Sequence, residues 1–196
     1  MLRLFRALLF SLVLTEFAFA AELVPTLDGE AFTSQFVGKQ SNEEKLLEFV
    51  RPTESFDKWT KLIGCRYQQV PALGNDPIKY ALAMARLVKQ TNPQAPVKVS
   101  QNEQSGEAIV DFLTWPPDQS YMELNVFRFW KSKDGNAVVS IQFANKFVAP
   151  RPEWSQNGVN EYQRKLNEIR ERRQSWIRQI AEISTLPIEE HLGNER

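Results

Sequence analysis

Three side chains in this 196-residue sequence could do chemistry: the only cysteine, the only histidine and one aspartate in an apolar stretch. Cys65 lies next to Arg66, whose positive charge would favour the thiolate form of the cysteine. A cysteine nucleophile also needs a base within reach, and the only imidazole, His191, lies in what we predict to be a loose C-terminal tail. The sequence therefore favours a buried, unreactive Cys65, with a transient mixed disulfide to a partner as the alternative.

The sequence shows no pattern typical of a metal or cofactor site. A single histidine and a single cysteine exclude centres built from several imidazoles or thiolates, and Glu189 and Glu190 beside His191 are not a preformed site. The serine elbow, the paired-histidine helix motif, the dinucleotide loop and the phosphate loop are also absent from the sequence. We predict no metal, no cofactor and no catalytic residue. A hydrolase whose carboxylates the sequence does not locate is the enzyme alternative.

Asp111 stands between apolar residues in a predicted strand at residues 109–113. Burial among apolar neighbours raises the pKa of a carboxyl group, so Asp111 could act as a general acid or base. In the other interpretation Asp111 faces solvent or pairs with a Lys or Arg across the sheet, such as Arg128. We favour this structural interpretation.

Aromatic residues crowd two neighbouring predicted strands in the middle of the chain. They are Trp115, Tyr121, Phe127, Phe129 and Trp130, and Arg128 lies among them. Such a set usually forms core, but it could also line a pocket for a small apolar or anionic ligand. For that alternative we predict Trp115, Tyr121, Arg128 and Trp130 as the ligand-binding residues.

The N-terminal residues have the pattern of a secretory signal peptide. Arg3 and Arg6 precede a short apolar run at residues 7–14, and Ala18 and Ala20 are the small residues that signal peptidase reads. We predict cleavage after residue 20 and a soluble protein of the bacterial periplasm, with secretion as the alternative. No other segment is apolar enough to span a bilayer, so we expect no transmembrane anchor after cleavage.

Apolar periodicity and turn signals predict a single α+β domain at residues 21–185. The predicted elements are a hairpin (31–38 with 43–50), helices at 53–63 and from 76 to about 90, two further hairpins (97–102 with 108–115, and 121–131 with 136–147) and a long helix at 159–184. Because the strand at 121–131 is apolar on both sides, both faces of the sheet must be covered. We therefore predict an antiparallel sheet of about six strands, flanked by helices on both faces, with a long C-terminal helix. Residues 186–196 are predicted to be a flexible tail.

The last predicted hairpin also has a predicted register. A three-residue loop at 133–135, with Gly135 in the left-handed conformation, places Phe129 opposite Val139. In the same register Phe127 lies opposite Ile141. We predict this pairing because it matches apolar residues across the two strands.

The long helix carries a heptad seam of apolar residues that Arg173 interrupts. The seam is longer than a small sheet can cover, so part of it could bind a protein partner. For that role we predict Arg170, Arg173 and Trp176 as contact residues. The other charges of the helix are of mixed sign, as on a solvated helix face. The whole chain has a formal net charge of zero, which argues against a protein that binds nucleic acid through bulk positive charge.

One stretch links these elements to a known family. Residues 49–59, Phe-Val-Arg-Pro-Thr-Glu-Ser-Phe-Asp-Lys-Trp, would form a strand, a proline turn and a helix that opens with an acidic residue. Together with the element order over residues 30–184, this stretch resembles the PsbP-like α/β/α sandwich proteins. The long final helix and residues 65–71 depart from that pattern. The resemblance implies a non-enzymatic accessory or binding protein, and our leading hypothesis is an exported, non-catalytic accessory or protein-binding module.

Overall fold

A seven-stranded antiparallel sheet forms the centre of the computed structural model, which describes residues 23–149 and 156–193. The predicted signal peptide at residues 1–20 lies outside these ranges. A short hairpin of β1 (Thr26–Leu27) and β2 (Glu30–Ala31) precedes the sheet. The strands of the sheet, in spatial order, are β3 (Ser34–Gln40), β4 (Glu44–Val50), β5 (Lys61–Gln68), β9 (Val138–Phe147), β8 (Met122–Lys131), β7 (Glu107–Thr114) and β6 (Val97–Asn102).

Helices lie on both faces of this sheet. Helix α1 (Pro77–Thr91) follows a 3-10 turn at Pro71–Leu73 and packs across β6, β7 and β8. On the other face, α2 (Gln156–Glu182) crosses β7, β8 and β9, and α3 (Leu186–Gly193) packs on β5. The predicted α+β class, with helices on both faces and a long C-terminal helix, is confirmed, although the sheet has seven strands where about six were expected. Within the described ranges, no helix is long and apolar enough to cross a membrane.

Helix α1 begins where the sequence predicts it. The Asp76 carboxylate accepts hydrogen bonds from the backbone N–H groups of Ile78 (2.9 Å) and Lys79 (3.1 Å). Pro77 occupies the first helical position, where its missing N–H costs no bond within the helix. Ala81, one turn later, is fully buried against the sheet. Both the cap and the apolar stripe could be predicted because they are local features of the sequence.

The helix predicted at residues 53–63 is wrong. Residues 51–60 form turns, and the chain from Lys61 onward belongs to β5. The Glu54 carboxylate accepts hydrogen bonds from the Thr60 backbone N–H (2.9 Å), the Thr60 hydroxyl (2.6 Å) and Arg51 Nη2 (2.7 Å). Glu54 therefore closes a turn instead of opening a helix. Pairing of β5 with both β4 and β9 then outweighs the helical spacing of the apolar residues.

The hairpin of β8 and β9 has the predicted strands, but its register differs from the predicted one by one residue. Phe129 lies opposite Ser140, and Phe127 lies opposite Gln142. Gly135 does adopt the predicted left-handed conformation, with φ of 75°, within a longer connection at residues 132–137. The observed register turns the large apolar residues of β9 towards α2. Burial under the helices, and not apolar matching across the strands, therefore decides the pairing.

Residues 186–193, predicted to belong to a flexible tail, form α3 instead. Ile188 and Leu192 are each 3% exposed and belong to the main core. The Glu189 carboxylate accepts hydrogen bonds from the Trp130 indole N–H (2.8 Å) and the Lys133 backbone N–H (3.1 Å). A helix of eight residues is stabilised by such packing and not by its own propensity. Local sequence therefore did not reveal it.

We predict that Leu192→Ala lowers the free energy of unfolding by about 2–5 kcal/mol, because it leaves a cavity in the core. Leu186→Ala on the same helix is the matched control. Leu186 is 54% exposed, so its loss should change stability by less than about 0.5 kcal/mol. Urea unfolding followed by tryptophan fluorescence measures both variants, and equal effects would show that α3 does not contribute to the core.

The carboxyl group of Glu54 makes the stability depend on pH. Burial alone would raise its pKa, but hydrogen bonds from Arg51 and Thr60 lower the pKa from 4.5 to about 2. Ionised Glu54 therefore stabilises the fold fully above about pH 4.5, and this contribution is lost as the pH falls towards 2. We predict that Glu54→Gln destabilises the protein at pH 7 and flattens the stability curve between pH 4.5 and pH 2. Urea unfolding at a series of pH values tests this, and an unchanged curve would contradict it.

Candidate functional site

Cys65 and His191 lie in different environments and do not form a catalytic pair. Cys65 is fully buried in the main core, and burial raises the pKa of its thiol to about 12. The predicted burial of Cys65 is thus confirmed, and its raised pKa disfavours the thiolate form that a nucleophile needs. His191 lies half-buried in α3. Among the described residues, no three His, Cys, Asp or Glu side chains are grouped so that they could hold a metal ion.

Asp111 faces α2, and only 2% of its side chain is exposed. It forms an ion pair and a hydrogen bond with Arg173 of α2. Burial raises the pKa of Asp111, although the charge of Arg173 opposes this effect. Asp111 thus pairs with an arginine, but this partner lies on α2 and not across the sheet, and Asp111 does not face solvent. Arg128 pairs instead with Glu107, at 3.0 Å.

The polar side-chain atoms of Arg128 and Trp130 form hydrogen bonds within the protein. Arg128 Nη1 donates to the carbonyl oxygens of Ile180, Ala181 and Ile183 at the C-terminal end of α2, at 3.2, 3.0 and 2.8 Å. A positive charge is favourable at this end of a helix. Trp130 is 4% exposed, and its indole N–H binds a carboxylate of α3. The predicted pocket of four ligand-binding residues therefore does not form, because these two residues lie under α2 and α3.

The other two predicted ligand-binding residues, Trp115 and Tyr121, do share a cleft. Its lining is completed by Gln119, Met122 and Ala149, and its volume is about 210 Å³. Lys146 lies between two aromatic rings, with Nζ 3.6 Å from the centroid of Trp59 and 5.4 Å from that of Tyr121. The cation near this cleft is thus a lysine, and not the arginine that the sequence suggested.

The predicted partner-binding residues of α2 divide into buried and exposed groups. Trp176 is fully buried, and its indole N–H donates to the Asp28 carboxylate at 3.0 and 3.1 Å. Arg173 also points to the sheet, where it pairs with the carboxylate of Asp111. Arg170 is exposed and donates to Asn167 (3.2 Å) on the same helix. The C-terminal part of the seam, from Trp176 to Ile183, packs in the main core together with the β1–β2 hairpin and α3, which add cover that the sequence did not reveal.

The face of the sheet towards α1 is covered only in part. Helix α1 covers β6 to β8, and residues 51–60 cover one end of β4, β5 and β9. There Phe56 and Trp59 pack on a cluster of Val50, Leu62 and Ala144. In the part of the chain that the structure describes, α1 reaches the end of β5 through the Tyr80–Gln68 hydrogen bond, but no helix lies over most of β3, β4 and β5 on this side. We call this uncovered surface of β3–β5 the open face.

A groove crosses the open face beside α1. It is lined by Leu46, Gly64, Arg66, Tyr80, Met84, Phe127, Phe129, Ser140 and Gln142 and encloses about 80 Å³. Gly64 leaves room for it, because a Cβ at this position would lie 3.2 Å from the Gln142 side-chain oxygen. The groove therefore combines an aromatic and aliphatic wall with several polar groups.

Arg66 is the cation of the groove. It is half-buried, with Leu46 of β4 and Ser140 of β9 as its cross-strand neighbours. No carboxylate of the described residues lies within ion-pair distance of its guanidinium. The Tyr80 hydroxyl donates to Gln68 at 2.8 Å. Burial raises the pKa of Tyr80, and Arg66 opposes that shift, so the phenol is protonated at neutral pH.

Sequence reasoning missed this groove because it assigned the first residues of β5 to a helix at residues 53–63. A single strand over residues 61–68 would have placed Gly64 and Arg66 on one face, with Ile63 and Cys65 on the other. That alternation was visible in the sequence. The helical spacing of the preceding aromatic residues concealed it.

Comparison with known families places this fold in one of them. A family model matches residues 25–185, which is more than half of the chain and includes every residue that lines the groove. The chain belongs to this family. The match by itself assigns no activity, ligand or partner. No curated protein and no solved structure matches the chain significantly.

We predict that Arg173→Met lowers the free energy of unfolding by about 3 kcal/mol, because it leaves the buried Asp111 carboxylate without its partner. The double variant Asp111→Leu with Arg173→Met should recover most of this loss, since neither partner is then left alone. Arg170→Met is the matched control on the exposed side of α2, with an expected change below about 0.5 kcal/mol. Chemical unfolding of the wild type and the three variants measures this recovery, and equal stability of Arg173→Met and the double variant would refute the prediction.

Proposed function

We propose that this chain is an exported, non-catalytic accessory or binding module of the bacterial periplasm that binds a partner protein through the open face. The observation that carries this proposal is the unequal cover of the sheet. The β1–β2 hairpin, α2 and α3 pack on one face, whereas part of the other face has no helix over it among the described residues. A sheet surface of this kind, with exposed apolar residues, is typical of a protein-binding site.

The edge of the open face carries the groups that a partner would contact. Phe36 of β3 is 46% exposed on the open face, with its ring centroid 5.5 Å from that of Phe56. In the described part of the chain, β3 has a neighbouring strand on one side only. Its free side presents backbone N–H and C=O groups, to which an extended segment of a partner could add as another strand. The register of β3 with β4 shifts between Val37 and Gln40. The regular part of this edge is therefore at residues 34–37, beside Phe36.

Export is supported by the signal-peptide pattern of residues 1–20, and secretion beyond the periplasm is the alternative location. The resemblance to PsbP-like proteins also favours a non-enzymatic accessory role, and it stays a prediction. The hydrolase alternative has no observation in its favour, because its first candidate, Asp111, is already paired with Arg173.

A carrier of a small apolar or anionic ligand is the second candidate function. The cleft of Trp115 and Tyr121 favours it, since aromatic walls near a cation are typical of small-molecule sites. Because Trp115 lines the cleft, a ligand bound there should shift the tryptophan emission spectrum.

Photo-crosslinking tests partner binding. A benzoylphenylalanine at position 36 places the reactive group on the open face, and one at position 87 of α1 is the matched control. Leu87 is 60% exposed and does not line the groove. We expect a discrete protein adduct from position 36 in intact cells, and none from position 87.

A second substitution tests whether the adduct depends on the edge strand β3. Gln35→Pro should abolish the adduct from position 36, because proline removes a backbone N–H and disfavours a regular edge strand. Circular dichroism of the purified variant checks that it remains folded. Equal adducts from positions 36 and 87, or none from position 36, would contradict the proposal. Native mass spectrometry of the protein from a periplasmic extract reports the cleavage site, the subunit count and any retained ligand.

A further inference from the structure

We propose that the groove on the open face binds a small carboxylate with an apolar body, and that Arg66 is its anion-binding residue. This inference goes beyond the partner-binding role and does not require it, because it concerns the groove beside α1 and not the edge strand β3. Its basis is a cation whose polar neighbour is the Tyr80 hydroxyl and not a carboxylate, beside a serine hydroxyl without a described hydrogen-bond partner. Both are enclosed by apolar walls over the glycine at position 64.

The charge of Arg66 is not neutralised by any described carboxylate. Charged side chains are seldom buried without a partner, because removing water from the charge is costly. Glu44 interacts with Arg66 only at long range, and its own partner is Lys39 at 2.9 Å. Glu48 lies opposite Gly64 and does not line the groove. The guanidinium is therefore available to an external anion, and its planar geometry fits a carboxylate through two parallel hydrogen bonds.

Ser140 provides a second donor for the same anion. It lies directly opposite Arg66 in the pair of β5 and β9, lines the groove and is 7% exposed. Its hydroxyl makes no hydrogen bond with any residue that the structure describes. The hydroxyl is open to the groove, and a carboxylate beside Arg66 would accept a hydrogen bond from it. The Tyr80 hydroxyl is already bound to Gln68, so Tyr80 acts as part of the wall.

The rest of the groove suits an apolar body. Leu46 and Met84 line it from the strand and helix sides, and Phe127 and Phe129 stack in parallel with their centroids 5.6 Å apart. The floor at Gly64 lets the ligand approach the strand backbone. A volume of about 80 Å³ limits the enclosed part of the ligand to a few carbon atoms. A site that bound an anion through charge alone would not need apolar walls. The expected ligand is therefore a short aliphatic or aromatic carboxylate and not a bare inorganic anion.

Titration of the ¹⁵N-labelled mature protein with hexanoate tests this assignment. We expect saturable NMR shifts of the Gly64 amide, the Arg66 Nε–H and the Gln142 side-chain amide. Hexylamine, which has a similar apolar chain and the opposite charge, should cause none of these shifts. Inorganic phosphate should bind at least tenfold more weakly than hexanoate. Equal affinity for phosphate and hexanoate would overturn the role of the apolar walls.

Matched variants locate the anion. Arg66→Met keeps an unbranched apolar stem and removes the charge, so we expect at least a tenfold loss of hexanoate affinity. Ser140→Ala should weaken binding by about threefold to tenfold and serves as the second variant if Arg66→Met does not fold. Arg86→Met is the control, since Arg86 is exposed on α1 and lies outside the groove. Wild-type affinity in folded Arg66→Met or Ser140→Ala, or the same loss in Arg86→Met, would overturn the proposal. The hexanoate titration can be interpreted even if no partner adduct forms at position 36. Each of the two proposals can therefore fail without the other.

Discussion

Burial of the Trp176 side chain is the interaction on which most of the described fold depends. The ring is fully buried, and it lies edge-on to Phe143 with centroids 5.9 Å apart. Its indole N–H binds Asp28 in the turn between β1 and β2, and Asp28 also accepts hydrogen bonds from Lys61 of β5 (3.0 Å) and Gln179 of α2 (3.1 Å). Burial alone would raise the pKa of Asp28, but these hydrogen bonds outweigh it and lower the pKa. One ionised carboxylate thus joins the hairpin, the sheet and the long helix.

This arrangement explains why the two faces of the sheet differ. The N-terminal hairpin and both C-terminal helices are held on the face of Trp176, so α1 and residues 51–60 remain to cover the other. Seven strands about 4.8 Å apart span roughly 29 Å, whereas one helix with its side chains is about 10 Å wide. A single helix therefore cannot cover that face. Both proposed binding sites lie on the uncovered part of this face. A partner would bind the edge strand, and a small anion would bind the Arg66 groove.

The elements that could be predicted carry their determinants within a few residues. The cap of Asp76, the left-handed Gly135 and the turn signals of the hairpins are local, and β3, β4, β6 to β9 and α1 were found close to their predicted positions. Three features depend on contacts between distant segments instead. They are the turn that Glu54 closes, the register of β8 with β9, and α3, which Ile188 anchors in the core. For each, local spacing was compatible with two structures, and burial elsewhere in the fold selected one.

Local patterns were enough to establish the α+β class, the two-faced sheet, and Cys65 as a buried residue. They could not show which side chains meet, because antiparallel pairing and helix packing join residues far apart in the chain. The partner of Asp111 is thus Arg173 of α2 and not the neighbouring Arg128. The groove depends on the same constraint, since Arg66 and Ser140 become neighbours only when β5 pairs with β9. Its open side exists because α1 lies over the opposite half of the sheet, which is a property of packing and not of any single segment.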